Sequence, residues 1–202
     1  MNRKLLILIV TMATILTAVS GQSQTKRALL ILDIQDDFTG NNAKMPMDSV
    51  QTNQMIQNLN NLLTKLAPSN YEIIYIGNEF SRFDFLNLFR NFAAIKGTRG
   101  TKQDSRLNII SENYFPKNKE NAFTNPALDS FLKSKSVKEL FISGLKSEAC
   151  VYSTTKGALK NGYKVNVLTD CISTTSDKKR DRMLAKYMKV GAHNLTSGTL
   201  TY

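Results

Sequence analysis

The chain has 202 residues, of which 42% are hydrophobic, and this is enough for one domain with a substantial core. Its 27 lysines and arginines outnumber its 16 aspartates and glutamates, but the positive charges are spread along the chain and are not gathered with aromatic residues. The composition therefore indicates a solvated basic surface and no nucleic-acid partner. The one histidine, His193, excludes a histidine-rich metal site, and the two cysteines show no zinc-ligand spacing.

The amino terminus has the composition of a secretory signal. Two basic residues precede an apolar run, residues 5–19, and small residues follow it. We predict a cleaved signal peptide at 1–20, a linker at 21–27 and one domain at 28–202, exported to the periplasm or secreted. An uncleaved membrane anchor is the alternative, although the run is slightly short for a span.

Beyond this segment, apolar strands alternate with helical segments, which is the pattern of a mostly parallel sheet in an α/β protein. The first strand is a continuous apolar run, as is typical of a strand buried on both faces. The predicted strands are 28–32, 71–76 closed by Gly77, 140–143, 165–170 and 193–195. The predicted helices run from Asp48 or Ser49, with Val50 first in the apolar stripe, to Pro68, and then over 126–131, 148–161 and 177–190.

The stretch from 78 to 106 has no clear periodicity. It is rich in large apolar residues, namely Phe80, Phe83, Phe85, Leu88, Phe89 and Phe92. These side chains suit either a hydrophobic core or an aromatic wall over a pocket, and we expect most of them to be core.

Cys150 lies where the chain leaves the strand at 140–143, turns at Gly144 and begins a helix. A helix amino terminus favours the thiolate, and its free N–H groups could receive an oxyanion, so the position suits a nucleophile in acyl transfer. Two alternatives remain at this point. Cys150 could be a small buried core residue, or it could form a disulfide with Cys171.

Asp33 follows the first strand, at the edge where open α/β sheets place their ligands. It could equally be a turn or capping residue. Lys117 has no distinguishing feature in composition, since most lysines are solvated surface charges.

Three motifs place these residues in a known pattern: 32–38 (LDIQDDF), 117–123 (KNKENAF) and 144–151 (GLKSEACV), the last continued by Thr154, Ala158, Gly162, Tyr163 and Asp170. With them, the chain from about Ala28 to Leu195 resembles the isochorismatase-like cysteine hydrolases, which include nicotinamidases and several carbamoyl and amide hydrolases. The resemblance implies a three-layer α/β/α fold with a mostly parallel, Rossmann-like central sheet and a site at the carboxyl ends of the strands.

The resemblance also implies roles for particular residues. Cys150 would be the nucleophile, Asp33 the general base and later the general acid, and Lys117 the cation that holds both charges in place. The backbone N–H groups of Lys146 and Cys150 would form the oxyanion hole, and the Leu145–Lys146 peptide would be cis.

Within the first motif, Gln35 and Phe38 are candidate substrate-binding residues. The chain also departs from the family pattern. Nicotinamidases carry an aspartate and histidines for a metal after the first motif, and no histidine is present there, so we expect no metal, no other cofactor and no nicotinamidase activity. In the turn of the third motif, Lys146 and Glu148 stand where family members commonly have small residues or a Thr-Asp pair. Their long side chains could border the pocket or face solvent.

We therefore predict an exported cysteine hydrolase that cleaves a C–N bond of a small amide-type molecule through a Cys150 thioester. The alternatives are a non-amide small-molecule hydrolase with the same triad and a non-catalytic small-molecule-binding protein on the same scaffold. The expected partner is a small-molecule substrate, with no nucleic acid and no stable membrane anchor after signal cleavage. A homo-oligomer is compatible with the resemblance, because family members are often oligomers.

Overall fold

The computed structural model describes residues 25–200, and the predicted signal peptide lies outside them. One six-stranded sheet forms the centre of the fold, in the order β3-β2-β1-β4-β5-β6, and every neighbouring pair is parallel. The strands are β1 (Lys26–Leu32), β2 (Tyr71–Asn78), β3 (Tyr114–Lys117), β4 (Val137–Leu145), β5 (Lys164–Ser173) and β6 (His193–Leu195). The predicted mostly parallel α/β fold is confirmed.

Helices cover both faces of the sheet. The α-helices are α1 (Asp36–Thr39), α2 (Ser49–Leu66), α3 (Pro126–Ser134), α4 (Tyr152–Lys160) and α5 (Asp177–Lys189). A π-helical turn at Ser147–Val151 leads into α4, and short 3-10 turns lie at Phe85–Leu88, Arg99–Thr101, Ala122–Thr124 and Ser197–Thr199. In the described part of the chain, no helix is both long and apolar enough to cross a membrane.

The side chains of β1 alternate between two hydrophobic clusters, one on each face of the sheet. Leu29 and Ile31 pack in the cluster that contains the apolar face of α2. Leu30 and Leu32 pack in the cluster that contains apolar residues of α3, α4 and α5. Burial on both faces explains why this strand is a continuous apolar run in the sequence.

Helix α2 begins where the cap was predicted, because the side chain of Asp48 accepts a hydrogen bond from the Gln51 N–H at 3.0 Å. Its apolar stripe is buried from Met55 to Leu66. Val50 does not belong to that stripe: its side chain is 76% exposed, because helical spacing places it on the face of α2 opposite to Leu59.

Strand β2 extends beyond its predicted end at Gly77. A Cβ on this glycine would meet the Tyr114 hydroxyl and the Gln35 side chain, so the glycine allows a close approach within the sheet rather than a turn. Strand β2 therefore continues to Asn78, which pairs in register with Lys117 at the end of β3.

The stretch after β2 contradicts the expectation of a core. Phe80 is buried, but the other five large apolar side chains are exposed: Phe83 by 92%, Phe85 by 76%, Leu88 by 73%, Phe89 by 80% and Phe92 by 47%. These five residues are called the apolar loop below. The prediction was wrong because a run of large apolar residues without periodicity carries no information about what covers them.

Candidate active site

Three elements bring Asp33, Lys117 and Cys150 to one edge of the sheet. Asp33 follows β1, Lys117 ends β3 and Cys150 lies in the turn after β4, and the carboxyl ends of parallel strands share an edge. Lys117 Nζ donates to Asp33 Oδ2 at 2.8 Å and contacts Cys150 Sγ at 3.3 Å. The Lys117 and Asp33 side chains are buried, and Cys150 is half-buried.

Asn78 is a fourth member of this group, and the sequence analysis did not find it. Its side-chain oxygen accepts the third hydrogen bond of Lys117 Nζ at 2.7 Å. The signal that could have identified it is the strand register, because Asn78 ends β2 directly beside Lys117. Polar residues at the carboxyl ends of neighbouring parallel strands are candidates for one site.

Gln35 holds Asn78 in place instead of facing a substrate. Its side-chain oxygen accepts from the Asn78 N–H at 2.8 Å, and its amide nitrogen donates to the Asn78 carbonyl at 3.0 Å and to the Thr101 carbonyl at 2.8 Å. Phe38 is buried in the hydrophobic cluster with α2. Neither placement supports the substrate-binding role proposed from the first motif, since both side chains are used inside the protein.

The Cys150 turn has the backbone geometry that the resemblance implied. The Leu145–Lys146 peptide is cis, and the π-helical turn follows it. The N–H groups of Ala149 and Val151 both donate to the Lys146 carbonyl, at 3.0 and 3.2 Å. Cys150 lies between these two anchored residues.

Further contacts join the turn to α5 and to Thr174, the residue after β5. Tyr187 donates its hydroxyl proton to the Ser147 carbonyl at 2.6 Å. The Glu148 carboxylate accepts hydrogen bonds from Thr174 at 2.5 Å and from Ser147 at 3.2 Å. Burial opposes ionisation of Glu148, but these hydrogen bonds hold its pKa below the ordinary value. Glu148 therefore stabilises the turn through these hydrogen bonds. Neither of the positions expected from the sequence, at the border of the pocket or in solvent, describes this role.

The second motif packs against α4. Thr154, which is fully buried, accepts from the Ala122 N–H at 3.0 Å and donates to the Glu120 carbonyl at 3.3 Å. A Cβ on Gly157 would meet the Asn121 side chain, so this glycine admits the loop closely. These contacts explain why the residues after Lys117 and those after Cys150 occur together as motifs.

Burial controls the ionisation of the site. It raises the pKa of the Cys150 thiol to about 12, with the Asp33 carboxylate adding to the rise and Lys117 opposing it. Burial disfavours the charge of Lys117, but Asp33 and Cys150 together raise its pKa above the ordinary value. Burial thus shifts the pKa of Cys150 in the direction opposite to the shift expected from the helix terminus alone.

The second carboxylate oxygen of Asp33, Oδ1, is buried and has no hydrogen-bond partner among the described residues. A buried carboxylate oxygen without a donor is costly, so such an atom in a site is a ready acceptor for a proton or for an N–H group. The arrangement can therefore take up a proton next to the sulfur.

A polar cavity of about 270 Å³ is lined by Lys117 together with Glu79, Lys96, Asn118 and Asn125, among others, and neither Asp33 nor Cys150 is part of its lining. Between residues 25 and 200, no group of three or more His, Cys, Asp or Glu residues could hold a metal ion. Cys150 and Cys171 are both free thiols, so the alternative of a disulfide between them is not realised.

Comparison with known proteins places the chain in a family. Residues 27–199 match the isochorismatase domain. The uncharacterized isochorismatase family protein YddQ of Bacillus subtilis (strain 168) is 26% identical over 158 residues, 78% of this chain and 83% of that protein.

Solved structures share the fold. An isochorismatase-like hydrolase from Alkaliphilus metalliredigens gives a TM-score of 0.80 at 22% identity, covering 86% of this chain and 96% of that one. N-carbamoylsarcosine amidase from Thermoplasma acidophilum gives a TM-score of 0.76 at 17% identity, covering 88% of this chain and all (100%) of that one. Because the domain match spans most of the chain, the protein belongs to the isochorismatase family of hydrolases.

Proposed function

We propose that the protein hydrolyses a C–N bond of a small amide or carbamoyl compound through a Cys150 thioester. The observation that carries the proposal is the position of Lys117 Nζ, which lies within 2.8 Å of Asp33 Oδ2 and 3.3 Å of Cys150 Sγ. A nucleophile, a proton acceptor and a cation in contact are the parts that acyl transfer through cysteine needs. The fold shared with an amidase supports the same bond type.

In the first half-reaction, the Cys150 thiol gives its proton to Asp33 while the sulfur attacks the substrate carbonyl carbon. The carbonyl oxygen becomes an oxyanion, which the N–H groups of Lys146 and Cys150 stabilise. Asp33 then gives the proton to the substrate nitrogen, and the C–N bond breaks. The amine departs, and the acyl group remains on Cys150 as a thioester. A neutral resting thiol fits this route, because the proton moves only when the attack occurs.

In the second half-reaction, water attacks the thioester carbonyl and gives a proton to Asp33. The C–S bond breaks, the acid product leaves, and the proton returns to the Cys150 sulfur. Lys117 stays an ammonium throughout, as its raised pKa favours, and it offsets the negative charge that moves between Asp33 and Cys150.

A screen of the purified protein against small amides, ureides and carbamoyl compounds, with ammonia or amine release as the readout, tests the proposal. Cys150→Ala should abolish release while the far-ultraviolet circular dichroism spectrum is unchanged, and Cys171→Ala is the matched control that should retain release. Acid quenching during turnover should show the acyl mass on Cys150. Full turnover by Cys150→Ala would refute the mechanism. Cleavage of esters alone would favour the non-amide hydrolase.

We also propose that the chain is exported, on the grounds of the basic and apolar pattern in residues 1–20. Cell fractionation followed by amino-terminal sequencing tests this. We expect a mature chain that begins near residue 21 outside the cytoplasm. A chain that keeps residue 1 and fractionates with the cytoplasm would contradict it.

A further inference from the structure

The apolar loop exposes five large apolar side chains within ten residues, each by 47% or more. Single exposed apolar residues are common on soluble proteins, but a contiguous group of this size indicates an interaction surface. The loop starts shortly after Asn78, so it lies on the side of the molecule that carries the carboxyl end of β2.

The loop is held in this exposed arrangement by its own backbone contacts. Asn87, which is almost fully buried, donates to the carbonyls of Ser81 and Arg82 at 2.9 and 3.2 Å. Arg90 pairs with Asp84 at 2.8 Å and stacks over the Phe80 ring at 3.9 Å. The buried amide of Asn87 and the Asp84–Arg90 pair thus hold the backbone of this segment, while the five apolar side chains remain exposed.

Positive charge surrounds the loop. Residues 81–102 contain five basic residues and one acidic residue. Arg90 pairs with Asp84 and Arg99 pairs with Asp36 at 3.2 Å, so Arg82, Lys96 and Lys102 carry the positive charge of this surface. Arg82 and Lys96 are exposed, and the Lys96 N–H donates to the Phe80 carbonyl at 2.9 Å, which places it at the base of the loop.

We propose that the apolar loop docks the protein reversibly on an anionic lipid bilayer. Aromatic and leucine side chains enter the boundary between headgroups and acyl chains, while flanking basic residues contact anionic headgroups. Apolar tips surrounded by basic residues have the chemistry that such a surface recognises.

The charge also argues against a second copy of the chain as the partner. A two-fold symmetric contact places each patch opposite itself, so Arg82, Lys96 and Lys102 would face the same basic residues of the other copy. Like charges across an interface oppose association, whereas an anionic bilayer attracts them.

The chain contains no tryptophan, which allows a direct test with the full chain. In Phe85→Trp, the indole is the only one present, and Met188→Trp is the matched control at another exposed apolar position, on α5. We expect the emission of Phe85→Trp to shift to shorter wavelength with vesicles of phosphatidylglycerol and phosphatidylcholine, and not with phosphatidylcholine alone. Met188→Trp should not shift, and salt should reverse the shift.

Vesicle co-sedimentation supplies the second measurement. Phe85→Ser combined with Phe89→Ser should weaken binding to anionic vesicles by about ten-fold or more, since both apolar anchors are removed. The amino terminus is the same in all variants, so it cannot cause the difference. Unchanged sedimentation of the double variant or an equal shift of both tryptophans would overturn the proposal. So would a multimer that the double variant converts to a monomer in light scattering.

Discussion

Lys117 has three ammonium protons, and each lies near a different acceptor in the site: Asp33, Asn78 and Cys150. This fixes the position of a flexible side chain without leaving a buried donor unpaired. Gln35 in turn positions Asn78, because its side chain forms hydrogen bonds with both the N–H and the carbonyl of Asn78. The three residues expected from the sequence are thus part of a larger polar network in which Asn78 and Gln35 act through Lys117.

Asn78→Ala removes one of the three acceptors of Lys117, and the ammonium can then shift away from the sulfur. We expect kcat to fall by up to about a hundred-fold with little change in KM, because a small misplacement of a reacting group costs about that much. Steady-state kinetics on the amide found in the screen measures this. Asn78→Ser, which keeps a polar acceptor, should recover part of the rate. A variant with wild-type kcat would contradict the positioning role.

Asp33→Asn should lower the pKa of Cys150. Burial contributes most to the raised pKa, and the negative charge of Asp33 adds to it, whereas Lys117 favours the thiolate. Replacing the carboxylate by an amide removes this repulsion, so the pKa of Cys150 should fall below about 12. The pH dependence of iodoacetamide labelling, read by intact mass, measures it.

In that experiment the buried Cys171 is an internal control, because its labelling would report unfolding. A pKa of Cys150 that is equal or higher in Asp33→Asn would show that the carboxylate does not act on the sulfur as inferred.

At the scale of elements, the site depends on how closely β1 and β4 approach each other. Gly144 has a φ of +105°, and a Cβ on it would overlap the Leu32 backbone. The glycine thus lets the end of β4 lie against the end of β1, so that the turn carrying Cys150 and the residue Asp33 meet. The Gly144 of the third motif is needed for close approach and for its backbone conformation.

Gly144→Ala should therefore destabilise the fold by more than about 2 kcal/mol, because it adds a backbone clash to an unfavourable φ. Gly198→Ala is the matched control, since a Cβ there meets nothing within 4 Å. Urea unfolding followed by circular dichroism gives both free energies. Equal values for the two variants would mean that β4 moves away from β1 at little cost.

At the scale of the whole molecule, Asp104 and Arg106 tie the poorly patterned stretch to the core. The Asp104 carboxylate accepts from Thr39 at 2.6 Å, and Arg106 donates to Asp104 and to Asn53 of α2. Burial would raise the pKa of Asp104, but hydrogen bonds from Arg106 and Thr39 lower it to about 2.

The lowered pKa of Asp104 makes the stability of the fold depend on pH. The folded pKa of Asp104 lies below its ordinary value of 3.8, so its contribution to stability is present above about pH 4 and is lost as the pH falls through about 2. Asp104→Asn should lower the urea midpoint at pH 7 and make the loss between pH 4 and pH 2 shallower. Asp181→Asn, at an exposed pair, is the control and should leave both unchanged. Parallel curves for Asp104→Asn and wild type would contradict the assignment.

Much of the fold was predictable because its signals are local. The unbroken apolar run of β1, the Asp48 cap of α2 and the strand that precedes Cys150 each depend on a few adjacent residues, and the structure has them where they were expected. The convergence of Asp33 and Cys150 follows from one general rule, that parallel strands end at a common edge.

The sequence by itself thus determined the fold class, the family pattern and the order of the three site residues. Only the tertiary structure decided the role of Asn78, the internal use of Gln35, the burial that raises the pKa of Cys150 and the exposure of the apolar loop. The physical reason is that strand register, burial and solvent exposure depend on contacts between residues far apart in the chain. Local periodicity does not encode those contacts.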